Sequence, residues 1–149
     1  MENLQYVYLL IRTVTGTLFF FQGYDKIFNV KVINVVNVFE DLQKRFSIGQ
    51  HSLKLLIYIS SWIEIIGGAF LFLGIFKFYV LAILSVNLFV VALTFSAMNP
   101  MWDMQYYFPR IIFIIILWLI PFSDDRISFD HLLFPTTNFI HFTFYLLTY

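Results

Sequence analysis

Cysteine is absent from this chain. Its absence excludes disulfides, thiolate metal sites, iron–sulfur ligation and any thiol relay carried by the protein itself. If the protein serves a redox system, the electrons move on a partner or on a bound small molecule. Charge is nearly as scarce. Asp, Glu, Lys and Arg make up 12% of the residues, against about 25% in soluble domains, and nine basic residues balance nine acidic ones. A chain with no excess positive charge has no general hold on a polyanion, so nucleic acid is not expected as a partner. His51, His131 and His141 are scattered without helical pairing, and no metal site is expected from them. No nucleophile elbow, phosphate loop or H-E-x-x-H pattern occurs, which leaves the catalytic residues unknown and points to a chain that is not an enzyme on its own.

What the sequence has in abundance is apolar and aromatic surface: 60% hydrophobic residues, with 20 Phe and 9 Tyr, and a mean hydropathy of +0.82. This composition predicts an all-α integral membrane protein in which rings fill the space between helices and face lipid. The first apolar segment follows no basic n-region and no A-x-A-like site, and Arg12 interrupts it, so it is expected to be retained rather than cleaved.

Four apolar runs follow one another, at residues 4–21, 55–76, 78–98 and 108–122. They predict an antiparallel bundle of four transmembrane helices, the last run being the shortest. On the first, Arg12 shares a helical face with Tyr8, Thr15, Gly16, Phe19, Gly23 and Lys26. Gly16 and Gly23 lie two turns apart and would admit a close neighbour, as would Gly67 and Gly68 on the second. Gly74 and Lys77 leave room only for a tight turn, which makes the second and third runs a helical hairpin.

Between the first two runs, Val32, Val35, Val36, Phe39, Leu42 and Phe46 recur at helical spacing opposite Asn34, Asn37, Asp41, Lys44 and Arg45. The pattern fits an amphipathic helix on the membrane surface, and equally a helix that covers one end of the bundle. Asn99 and Pro100 break the third run, and Met101, Trp102, Asp103, Tyr106 and Tyr107 have the look of an interfacial loop. Residues 1–133 thus read as the membrane domain. Residues 134–149 read as an aromatic tail, too short to span and suited to the interface or to a partner. Lys26, Lys31, Lys44, Arg45, Lys54 and Arg110 fall on one side of the membrane, and Lys77 and Arg126 on the other. The positive-inside rule then puts the first and third loops in the cytoplasm and both termini outside.

Glu64 sits near the middle of the second run, where an unpaired acid costs roughly 2.5–3.5 kcal/mol on insertion scales. Counted from the ends of the runs, Arg12, Glu64 and Asn87 all lie roughly 15 Å deep. An arginine and a carboxylate at equal depth on adjacent helices are expected to pair. Ser60 and Ser61 flank Glu64 on the same side. Such a layer could be a closed clasp that fixes register, or could line a site for a headgroup, a quinone carbonyl or a proton.

These residues also carry a resemblance. Arg12, Gly16, Phe19, Gly23 and Lys26 in the first segment, Glu64, Gly67, Gly68, Leu71 and Gly74 in the second, and the exit Arg126-Ile127-Ser128-Phe129-Asp130 are together similar to the DoxX family of small four-helix bacterial membrane proteins. The resemblance implies an inner-membrane bundle. Some relatives are the membrane subunit of a thiosulfate:quinone oxidoreductase, others associate with oxidative-stress enzymes, and a distant branch assists receptor assembly. It therefore implies a non-catalytic subunit of a redox complex with a quinone or lipid as its small molecule, or else a scaffold. In both cases the partner would be another membrane protein or a second copy of the chain. The aromatic tail has no counterpart in the family pattern.

Overall fold

The computed structural model describes residues 2–40, 43, 47, 49–98, 108–121 and 127–130. Among them the chain is helical: α1 (Glu2–Tyr24) runs into a π-helical turn (Asp25–Asn29), followed by α2 (Val32–Val38), α3 (Gln50–Leu73), α4 (Lys77–Met98) and α5 (Phe108–Leu119). Three helices are long and apolar enough to cross a bilayer, Leu4–Asn29, Gln50–Leu73 and Lys77–Ala97. The fourth run forms the shorter α5, of 12 residues, which at 1.5 Å per residue is about 18 Å long. The interfacial loop at residues 99–107 and the aromatic tail at residues 134–149 lie outside the described residues.

The closest helix pair is α1 with α3, packed antiparallel. Small residues set their separation. A Cβ on Gly16 would stand 2.7 Å from the carbonyl oxygen of Gly68, and one on Gly68 would stand 2.5 Å from the amide nitrogen of Phe20. The two backbones are in contact, and no side chain fits between them. The core then fills with Tyr8, Phe19, Leu71, Leu81, Leu84 and Leu117. Outward rings and aliphatic chains such as Leu10, Phe21, Leu56, Val86 and Phe89 are exposed, as a surface solvated by lipid requires.

The described part of the amphipathic run is α2. It turns Val32, Val36 and Phe39 inward onto Leu53 and leaves Asn34 and Asn37 exposed, while Phe39 meets Phe95 of α4 with ring centroids 5.5 Å apart. Asp41, Leu42, Lys44, Arg45 and Phe46 lie outside the described residues.

The α3–α4 hairpin is closed by polar groups. Gly74 takes a left-handed conformation (φ +73°) and ends α3, its N–H reaching the carbonyls of Phe70 and Leu71. Arg12 donates from Nη1 to the carbonyls of Leu71 and Phe72 at 2.9 and 2.8 Å, and from Nη2 to that of Ile127 at 2.9 Å. A cation thus meets the negative end of the α3 dipole. At the start of α4 an anion does the converse: Asp130 accepts the amide N–H groups of Phe76 and Lys77 at 2.8 and 3.0 Å. Lys77 Nζ completes the clasp on Ser128 Oγ at 3.1 Å. Replacing Asp130 by Ala removes this cap and is expected to cost about 0.5–2 kcal/mol, measured as a lower unfolding midpoint in detergent; an unchanged midpoint would argue against the cap.

Candidate functional site

The layer predicted by depth does not form as a unit. Arg12 is not joined to Glu64; its guanidinium lies at the hairpin end, on Leu71, Phe72 and Ile127. The reason is register. With Gly16 against Gly68 and Gly23 against Ser61, Arg12 comes level with the last turn of α3, and Glu64 comes level with the end of α1. The two are about ten residues apart along the axis, roughly 15 Å. The count fails because both helices overrun the ends it started from, α1 continuing through its π turn to Asn29 and α3 beginning at Gln50, so that the glycine contacts and not the run ends set the register. Asn87 behaves differently: Gly67 abuts Leu84 across the hairpin, which carries Asn87, buried on α4, to the level of Glu64.

Lys26 is the partner of Glu64. Its Nζ donates to both carboxylate oxygens at 2.7 Å, with Glu64 only 1% exposed and Lys26 20% exposed. The carboxylate is buried and compensated, as an acid inside an apolar bundle must be. Gly23 makes this geometry available, since a Cβ there would meet the Ser61 carbonyl at 2.5 Å and Glu64 Cβ at 3.0 Å. Ser61 is buried beside the pair and spends its hydroxyl on the carbonyl of Ile57 at 2.8 Å. Ser60 is half-buried one position earlier on α3.

Lys26 also lines a cleft of about 460 Å³ between the end of α1 and the start of α5. Gln22, Asp25, Lys26 and Arg110 supply its polar wall, and Leu18, Val30 and Pro109 its apolar wall. Arg110 is close enough to act electrostatically on both Lys26 and Glu64. Asp25 begins the π turn, and its carboxylate accepts from the side-chain amide of Asn29. The π turn closes the C-terminal end of α1, where wider turns are common. Exposed rings surround this end of the bundle: Tyr24 against Phe28, with centroids 4.7 Å apart, and Tyr58 against Trp62, 6.3 Å apart. Such rings favour the headgroup level.

The cleft therefore offers ammonium and guanidinium donors, an exposed carboxylate and an apolar floor. It can hold the polar end of a bilayer amphiphile. Lys26 was legible on the face it shares with Arg12, Gly16 and Gly23. The matched seven-residue spacing of Gly16 to Gly23 and Ser61 to Gly68 is the signal that sets the register and with it the Lys26–Glu64 pair. Arg110 had no such signal, since only the return of α5 along α1 brings it to the cleft.

The sequence pattern that defines the DoxX family matches residues 7–97, a span that includes Lys26 and Glu64 and stops before Arg110. No curated protein and no solved structure matches the chain.

Proposed function

This chain belongs to the DoxX family, and on that premise we propose that it is a non-catalytic, integral subunit of a bacterial inner-membrane complex linked to quinone redox chemistry, binding the polar end of a quinone or lipid in the α1–α5 cleft. The observation that carries the reading is the buried Lys26–Glu64 pair on the wall of an open cleft. A pair needed only for register has no reason to border open space. With no cysteine in the chain, the electrons move on a partner or on the bound small molecule.

The fold proposed for this role has four crossings. Arg110 lies beside Lys26 at one end of the bundle and Ile127 accepts from Arg12 at the other, which supports a fourth crossing even though α5 is short. The first and third loops face the cytoplasm and the termini lie outside, by the distribution of Lys and Arg. A scaffold role, with α2 and the tail holding a partner protein, has one observation in its favour: Arg12 and Asp130 bind backbone groups of the hairpin, a task of architecture rather than of ligand binding.

The two readings separate on purification in native-lipid discs. The redox reading expects a quinone-reactive oxidoreductase and a bound quinone or lipid to accompany the chain. Recovery of neither, under conditions that retain both in a control complex, would reject it.

A further inference from the structure

We infer that the α1–α5 cleft is a site for a zwitterionic phospholipid whose head carries a primary ammonium, with the phosphate against Lys26 and Arg110 and the ammonium against Asp25. This rests on the reading that the cleft binds an amphiphile, and it names which one.

The first support is level. Asp25 and Lys26 occupy the last turn of the span Leu4–Asn29, amid the exposed rings of Tyr24 and Phe28. Leu18 lies two turns deeper, about 12 Å by helical rise. Leu18 gives the cleft an apolar deep end below Gln22, Asp25 and Lys26, as the acyl chains of a phospholipid lie below its polar head. Its volume of about 460 Å³ falls in the ordinary range for a small-molecule site, about 300–1,000 Å³.

The second support is the arrangement of charge. Glu64 is buried and already engaged by Lys26, so the negative group facing the cleft is Asp25, which is exposed. A ligand in the cleft meets two cations, Lys26 and Arg110, and one exposed carboxylate, Asp25. Two of the three ammonium donors of Lys26 point at Glu64, which leaves the third; a guanidinium offers a planar fork matched to phosphate oxygens. A purely anionic head would bring like charge to Asp25, and a quinone carries no cation for it, leaving it with the Asn29 amide alone among the described residues. A primary ammonium has N–H donors for a carboxylate, whereas a quaternary one has none and is better served by an aromatic cage.

The test is the thermal unfolding midpoint of the full chain in micelles, titrated with dihexanoyl phosphatidylethanolamine, the corresponding choline and glycerol lipids, glycerophosphoethanolamine and decylubiquinone. The ethanolamine lipid is expected to raise the midpoint at concentrations about tenfold lower than the other two lipids, a preference of one charge-assisted contact. Asp25→Asn, a change at an exposed position, is expected to remove that preference while the protein stays folded. Stabilisation by decylubiquinone with no ethanolamine preference would overturn this inference and leave the amphiphile reading standing; no shift with any probe would overturn both. Equal stabilisation by glycerophosphoethanolamine would assign the site to a soluble phosphate ester, and a persistent preference in Asp25→Asn would remove the ammonium contact; either result rejects the lipid assignment.

Discussion

Lys26→Met is expected to destabilise the folded protein by about 3–5 kcal/mol, the usual result of leaving a buried charge without its partner. Glu64 has almost no access to solvent, and both of its oxygens rest on one ammonium. Removing that ammonium leaves a buried carboxylate without its hydrogen-bonded cation, with Arg110 as the neighbouring charge that acts on it. The double variant Lys26→Met/Glu64→Leu is expected to recover most of the loss, because a well-packed apolar pair of similar volume is often as stable as the ion pair it replaces. Unfolding in a denaturing-detergent titration followed by circular dichroism measures both. A single variant as stable as the natural protein would mean that Glu64 does not depend on Lys26, and a double variant as damaged as the single would mean that the site needs charge in order to fold.

The second large effect is expected at Gly68. In Gly68→Val even the Cβ would stand 2.5 Å from the Phe20 nitrogen and 2.7 Å from the Gly16 carbonyl oxygen. Overpacking commonly costs about 1–3 kcal/mol where side chains can give way. Here the obstacle is backbone, so α1 and α3 must part, and the expected loss is at or above the top of that range. Gly49→Ala is the control, since a Cβ there meets only Ser52 Oγ at 3.9 Å; as the N-cap of α3 it is expected to lose about 1 kcal/mol or less. Equal effects at the two glycines would remove the claim that direct backbone contact joins α1 and α3.

Much of the architecture was legible because it is written in local pattern. The apolar runs mark the helices, Gly74 stops α3 and allows the hairpin, and Gly16 and Gly68 mark the surface on which two helices meet. The polar connections were less legible because they depend on register, and register was counted from ends that sequence marks poorly. Gln22, Asp25 and Lys26 look like the exit of α1 from the membrane. The helix nevertheless continues through them, because Lys26 finds its counter-charge on α3 and need not reach water. Both helices overrun the ends marked by the apolar runs, α1 by eight residues to Asn29 and α3 by five to Gln50, and a count from those ends gave the wrong partner for Glu64. The role of Arg12 was out of reach for a different reason: Ile127 is 115 residues away in sequence, and nothing local to either residue specifies the bond. The same holds for Asp130 and the start of α4.

The two ends of the bundle consequently carry different kinds of polar chemistry. At the hairpin end, Arg12 and Asp130 satisfy backbone groups and complement helix dipoles, which is the work of holding a fold. At the other end of α1, a buried ion pair borders a cleft. The most direct test of this division is the amount of amphiphile retained per chain, measured by mass spectrometry on the natural protein and on folded Lys26→Met/Glu64→Leu, each taken from the membrane in its own lipid. Retention of a defined lipid or quinone by the natural protein and its loss from the double variant is the predicted result; equal retention by the two would contradict the assignment of the cleft as the binding site.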